Sequence, residues 1–172
     1  MNHKMDTDRQ VFFYEQEFYA LSNFSSFRIY WRGLDFDTSE HVYHWEKFCA
    51  DPDTKDHEYL RRTIMKARSA HEAFKIAEEY RLYYRHNWLD IRVGIMRDIL
   101  RAKAAQHEYV RRKLLETGDR ELVEDSWRDA FWGWGVERRG QNVLGNLWMG
   151  IRAELRLSGE TGSTRQTQNL LP

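Results

Sequence analysis

The sequence predicts an α+β fold, predominantly α-helical, in a single domain with a small sheet. Three observations carry this reading. Residues 11–14 and 27–36 are β-prone or alternate in polarity, and Leu122-Val123 adds one more apolar pair. Apolar residues recur at helical spacing from about 38 to 117 and again from 144 to 157. The chain has 172 residues, Pro52 as its one internal proline and no low-complexity linker, which suits one core rather than two.

Taken in order, residues 1–10 are polar and unpatterned and 158–172 are rich in Ser, Thr, Gly and Gln, so both read as disordered termini around a domain over 11–157. Val11-Phe12-Phe13-Tyr14 suits a strand. Residues 27–32 alternate before Gly33 and Leu34-Asp35-Phe36, which predicts a hairpin turning near Arg32-Gly33. Thr38 or Ser39 can cap a helix running to about residue 50, with Val42, Trp45 and either Phe48 or Cys49 on its apolar side. Helices follow over 58–66, over 69–79 with Ser69 as cap, and over 91–105 with a stripe of Ile91, Ile95, Ile99 and Ala102. Another over 108–117 stops at Gly118. Leu122-Val123 suits a short strand that could join the first ones in the sheet, and a last helix runs from Leu144 or Asn146 to Leu157.

Composition narrows the function. A hydrophobic fraction of 41% with seven Trp, nine Tyr and nine Phe supplies a sizeable core, while 31% charged residues keep the surface solvated. Net charge is zero, with 27 basic and 27 acidic residues, so there is no global electrostatic case for nucleic-acid binding. Residues 60–120 nonetheless carry 15 Lys and Arg against 8 Asp and Glu, which reads either as solvated helical faces or as a basic wall for a phosphate. Cys49 has no second cysteine to pair with, and the first residues lack the apolar stretch of a secretory signal, which points to the cytoplasm. No run approaches the roughly 18 apolar residues of a membrane span.

Three groups could carry chemistry. Glu40, His44 and Lys47 fall at i, i+4 and i+7 along one face of the first helix. From spacing alone this is equally a capped helix whose acidic start and basic end suit its dipole. Asp129-Ala130-Phe131-Trp132-Gly133-Trp134-Gly135 sets tryptophans among glycines, a pattern suited to offering a flat ring to a planar ligand or to plugging a core beneath a loop. Gly140-Gln141-Asn142-Val143-Leu144-Gly145 enters the last helix, where free backbone N–H groups could receive an anion, although no Lys-Ser/Thr follows as in a triphosphate loop. Cysteine pairs, His-Glu-x-x-His, Gly-x-Ser-x-Gly and Gly-x-Gly-x-x-Gly after a strand are all absent. His41 and His44 permit a metal-binding helix but lack an evident third ligand, so neither metal nor cofactor is implied.

In this order the groups resemble the NADAR family, also called YbiA-like. The pieces are Leu21-Ser22-Asn23-Phe24, Thr38-Ser39-Glu40-His41 with Lys47-Phe48, and Asn87-Trp88 followed by Met96 and Leu100-Arg101-Ala102-Lys103. Then come Leu122-Val123-Glu124, Asp129 with Trp132-Gly133, and Gly140-Gln141-Asn142-Val143-Leu144-Gly145 with Met149 and Arg152. The chain departs from the family in having His44 where Gln is usual, Ala104 where Phe is common, and Asp125-Ser126-Trp127-Arg128 where Thr-Glu or Thr-x-x-Asn-Pro is frequent.

The resemblance implies an N-glycosidase that breaks a ribose C1′–N bond, acting either on phosphoribosylated aminopyrimidine intermediates of riboflavin or on ADP-ribosylated guanine, free or in nucleic acid. An oxocarbenium-like transition state needs negative charge near C1′ and help for the leaving base. Glu40 and Glu124 are the candidate carboxylates, and Lys47 would bind phosphate or attack C1′. Trp132 would stack on base or ribose, Asn23 and Asn142 would bind hydroxyls or base edges, and Arg61, Arg85 and Lys103 would contact phosphate. Ser39, Asp129, Gly133 and Gly145 complete the implied binding set. Glu40, Lys47, Glu124, Trp132 and Asn142 are expected in one cleft. The rival readings are a non-catalytic binder of NAD or ADP-ribose, and a helical adaptor whose aromatic residues are core.

Overall fold

The structure, a computed structural model, describes residues 6–14, 16–49 and 52–167, with Gln16 and residues 159–167 described by backbone alone. In chain order the elements are β1 (Gln10–Phe13), a 3-10 segment (Gln16–Leu21), β2 (Ile29–Trp31), β3 (Leu34–Phe36), α1 (Ser39–Glu46), α2 (Lys55–Met65), α3 (Ala70–Glu79), a 3-10 turn (Arg81–Tyr83), α4 (Trp88–Gln106), α5 (Glu108–Glu116), β4 (Glu121–Glu124) and α6 (Val143–Thr167). The fold is α+β and mostly helical. Two compact units divide it, one over residues 19–113 and one formed by the chain before Tyr19 and after Lys113.

In the helical unit, the β2–β3 hairpin turns through Arg32 (φ 47°) and Gly33 (φ 84°), pairing Ile29 with Phe36 and Trp31 with Leu34. Positive φ at both central residues is the two-residue turn whose twist matches the strands. Side chains close the hairpin onto its neighbours. Gln106, at the end of α4, accepts from Tyr30 N (2.8 Å) and donates to Tyr30 O (2.9 Å), standing in for a third strand. Phe36 meets Trp45 edge-on at 5.6 Å.

Helix starts follow the sequence signals. Thr38, Thr54 and Ser69 each have extended backbone and accept from the N–H three residues on, in His41, His57 and Glu72. The Thr54 cap starts α2 three residues before the predicted residue 58. α1 ends at Glu46, short of the expected residue 50. It packs against α2, α3 and α4, and all eight of its residues are buried. In α4 the buried stripe is Trp88, Met96, Ile99, Leu100, Lys103 and Ala104, whereas Ile91, Ile95 and Ala102 of the predicted stripe are half-buried.

In the other unit, β1 pairs parallel with β4, from Gln10 with Glu121 to Phe13 with Glu124. This corrects the expected single sheet: two separate two-stranded sheets exist among the described residues, and β1 takes no part in the hairpin. Both strands are buried through Val11, Phe12, Phe13, Leu122 and Val123, and α6 packs on β4. The predicted disorder before residue 11 gives way, from Asp6 on, to local bonding: the Asp6 carboxylate accepts from Phe12 N at 2.8 Å and Thr7 Oγ1 from Gln10 N at 2.9 Å. Residues 1–5 and 168–172 lie outside the described residues, and the α6 backbone continues ten residues past the expected stop at Leu157.

Candidate active site

Burial makes α1 the chemical centre of the helical unit. Glu40 and His44 are 8% and 1% exposed, and Glu40 Oε1 lies 2.7 Å from His44 Nε2. A carboxylate only accepts, so Nε2 carries the proton. Burial lowers the His44 pKa, against the opposing pull of Glu40, and the ring is neutral at neutral pH. The Glu40 N–H donates to Asn23 O at 3.2 Å, which fixes the start of α1 against the segment carrying Asn23.

One turn further, Lys47 (5% exposed) sits in an aromatic box. Its Nζ lies 4.6 Å from the Tyr84 ring centre, 5.3 Å from Tyr43 and 6.0 Å from Trp88. It donates to Tyr84 Oη (3.0 Å) and Glu78 Oε1 (3.4 Å). Desolvation lowers the Lys47 pKa, partly countered by Glu78 and Glu40. Burial also raises the Tyr84 phenol, keeping it protonated, and it donates to Ala77 O at 2.9 Å.

The other predicted residues of this unit divide. Asn23 is buried, its Nδ2 against Met96 Sδ and its Oδ1 without a hydrogen-bond partner among the described residues; Ser39 Oγ is buried in the same state. Both remain eligible for ligand. The three proposed phosphate cations are corrected. Lys103 has no exposed surface and donates to Ser22 O (2.8 Å) and Ser25 Oγ (2.7 Å). Arg61 is held by the Asp53 carboxylate and Phe48 O, and Arg85 by Asn87 Oδ1 (2.9 Å) and the fully buried Glu46 (3.9 Å). Each is used inside the fold. His41 likewise meets Thr38 Oγ1 and Ala67 O through its two ring nitrogens, which removes it as a metal ligand.

In the β1–β4 unit, Glu124 ends β4 and is 6% exposed. Asn142, with φ 49°, does not offer its amide to a ligand: Oδ1 accepts from Glu124 N (3.0 Å) and Nδ2 donates to Leu122 O (2.8 Å), copying a strand's ladder on β4. Its role is to position Glu124. Gly145 is likewise corrected, because a Cβ there would run into Leu122 O and sit 2.6 Å from Asn142 Oδ1. Gly145→Ala is expected to cost roughly 2–3 kcal/mol through overpacking, read as a lower urea midpoint; an unchanged midpoint would refute the packing role.

The loop before α6 is folded on itself. Asp129 Oδ1 accepts from Phe131 N and Trp132 N, both at 2.8 Å, and a Cβ on Gly133 would meet Glu124 O at 2.8 Å. Both residues therefore shape the loop. The anion site expected at the helix start is closed, since Val143 N and Leu144 N donate to Phe131 O and Trp132 O at 3.1 Å. Trp134 meets Phe12 (4.8 Å), Arg138 and Asp125, and Trp132 meets Phe131 edge-on at 5.0 Å; both tryptophans are half-buried.

Sequence reasoning missed Tyr43, Glu78, Tyr84 and Trp88 as the surroundings of Lys47. The signal was present only in part: Trp88 belongs to a recognised motif, but nothing in the pattern of α3 marks Glu78 as facing α1. Among the described residues no group of three or more His, Cys, Asp or Glu could hold a metal ion, and no helix is long and apolar enough to cross a membrane.

The chain is 39% identical over 150 residues to "Riboflavin biosynthesis protein VVA0006" of Vibrio vulnificus, covering 86% of itself and 39% of that protein. It thus spans well under half of that relative's length. It is 33% identical to "N-glycosidase Npun_R5314" of Nostoc punctiforme, covering 85% of itself and 92% of that protein. With "N-glycosidase YbiA" of Escherichia coli it shares 37% identity, covering 78% of itself and 79% of that protein. The NMR structure of E. coli YbiA superposes with a TM-score of 0.77 at 32% identity, covering 90% of this chain and 89% of that one. The sequence model of the NADAR domain matches residues 12–156, and the chain belongs to the NADAR family.

Proposed function

We propose that the chain hydrolyses the bond between ribose C1′ and a base nitrogen in a phosphorylated, nucleotide-like substrate. It is a hydrolase of N-glycosyl bonds, as its likeness to the N-glycosidases of Nostoc and E. coli supports. The observation that carries the chemistry is the buried Glu40–His44 pair one turn from the boxed Lys47. Such a cluster is costly to bury for stability alone, and it supplies what an oxocarbenium-like state needs, a negative charge in a low-dielectric site. In overall balance the C1′–N bond breaks, C1′ gains the hydroxyl of water, and the water's other proton leaves with the base. Glu40 stabilises the developing cation, and Asn23 and Ser39, each with a buried oxygen that has no hydrogen-bond partner among the described residues, meet hydroxyls.

The substrate class we propose is a phosphoribosylated aminopyrimidine of riboflavin metabolism, which the printed name of the Vibrio relative supports; removal of ADP-ribose from guanine is the alternative within the same reaction type. Incubating the chain with ribosylaminopyrimidine 5′-phosphates and, separately, with ADP-ribosylated guanosine, followed by mass spectrometry, tests both. Free base and ribose 5-phosphate are expected from the first. Release only from guanosine would change the substrate, and release from neither would leave a binder.

A further inference from the structure

We propose that His44 is a positioning residue for Glu40: by donating from Nε2 to Oε1 it fixes the orientation of the carboxylate and leaves the second oxygen to the substrate. The proposal rests on the N-glycosidase reading for what Glu40 does, and on its own geometry for how Glu40 is held. Spacing at i, i+4 on a helix brings the two side chains together, and their 2.7 Å contact is almost wholly shielded from solvent. The imidazole is clamped edge-on by Tyr43 at 5.4 Å and by Phe74 of α3 at 5.7 Å. It has little freedom to release the carboxylate.

The choice of a neutral donor matters. A Lys or Arg hydrogen-bonded to Glu40 would cancel the charge that has to face the developing cation. A neutral imidazole orients the carboxylate and leaves the pair with its full negative charge. Two features keep the ring neutral. Nδ1 is buried with no hydrogen-bond partner among the described residues, so a second proton would find no acceptor there. The charged groups that act on the ring are Glu40 and Lys47 on α1 and Glu78 on α3, and burial outweighs the two carboxylates. The donor and acceptor roles of the pair are thereby fixed in one direction.

The test uses the full chain and two variants. His44→Gln keeps a neutral donor at similar reach, and kcat is expected to stay within about threefold of wild type. His44→Leu fills the apolar clamp without a donor; kcat is expected to fall roughly a hundredfold through misplacement of the carboxylate, with KM changed by less than about threefold. Rescue by glutamine but not by leucine, with the loss confined to kcat, is a pattern that a purely packing role would not produce. In the wild type without substrate, 15N NMR of the His44 ring should report the neutral Nε2–H form near pH 7. A glutamine variant as impaired as the leucine one would overturn positioning in favour of proton transfer by the imidazole itself. A leucine variant with wild-type turnover, or an Nδ1–H ring, would overturn it as well. Failure of the N-glycosidase reading looks different: it silences the wild type while the ring signals still report the hydrogen bond.

Discussion

Replacing Glu40 by Gln is expected to lower kcat by roughly a thousandfold, at the upper end for loss of one electrostatic group, and to leave the fold intact. The two halves of this expectation come from different atoms. Gln keeps an oxygen at the reach of Oε1, so His44 Nε2 retains its acceptor and α1 its internal bond. Its amide carries no charge, so the cation developing at C1′ loses its counter-charge at the moment the base departs. An interaction made mainly in the transition state shows in kcat more than in KM. Single-turnover base release together with thermal unfolding separates the two. Turnover near wild type would remove Glu40 from the reaction, and the binding-module reading would then stand. A collapsed Tm would instead mark the pair as structural.

Much of the fold was legible because its signals are local. The Arg32-Gly33 turn and the Thr38 and Ser69 caps are each written within four residues, and the structure uses all of them. What was not legible depends on partners distant in sequence. Parallel pairing of β1 with β4 joins Gln10 to Glu121, and no local alternation encodes that choice. Lys103 reads as a surface cation because of its type, yet its place in the stripe with Met96, Ile99 and Leu100 buries it, and two oxygens from residues 22 and 25 satisfy it.

The candidate site shows the same division. Helical spacing places Glu40, His44 and Lys47 on one face without tertiary knowledge, but only the family resemblance gives Glu40 and Lys47 a role. Asn142 was found as a motif and given the wrong task, because an Asn at positive φ before a helix says nothing about where its amide points. It points to β4. Arg61 and Arg85 fail as phosphate ligands for a related reason: composition counts cations but not the carboxylates of Asp53 and Glu46 that hold them. Much of the basic excess of residues 60–120 sits on exposed side chains such as Arg62, Arg68, Arg81, Arg97, Arg101 and Arg112, whereas Arg92, Arg111, Lys113 and Arg120 are half-buried.

The second large effect concerns Lys47, for which the surroundings now favour one of two tasks. A phosphate ligand is best charged and reachable, whereas this amine is buried among aromatic rings and desolvation lowers its pKa. That environment suits a nucleophile. The step we propose is attack of the neutral amine on C1′ as the C1′–N bond to the base breaks. The amine's proton leaves with the base, the ribose ring opens to an imine, and water then hydrolyses the imine to return free amine and sugar. A guanidinium cannot follow this course, so Lys47→Arg is expected to be as inactive as Lys47→Ala, each down by roughly a thousandfold or more. Borohydride added during turnover should reduce the imine and leave a ribose adduct on the wild type alone, visible in the intact mass. The sign of the pH effect follows from the lowered pKa: the neutral fraction grows as pH rises through it, so trapping should increase with rising pH. If the arginine variant turns over normally and no adduct forms, Lys47 is a cation for phosphate, and the reaction is direct hydrolysis by water activated at Glu40.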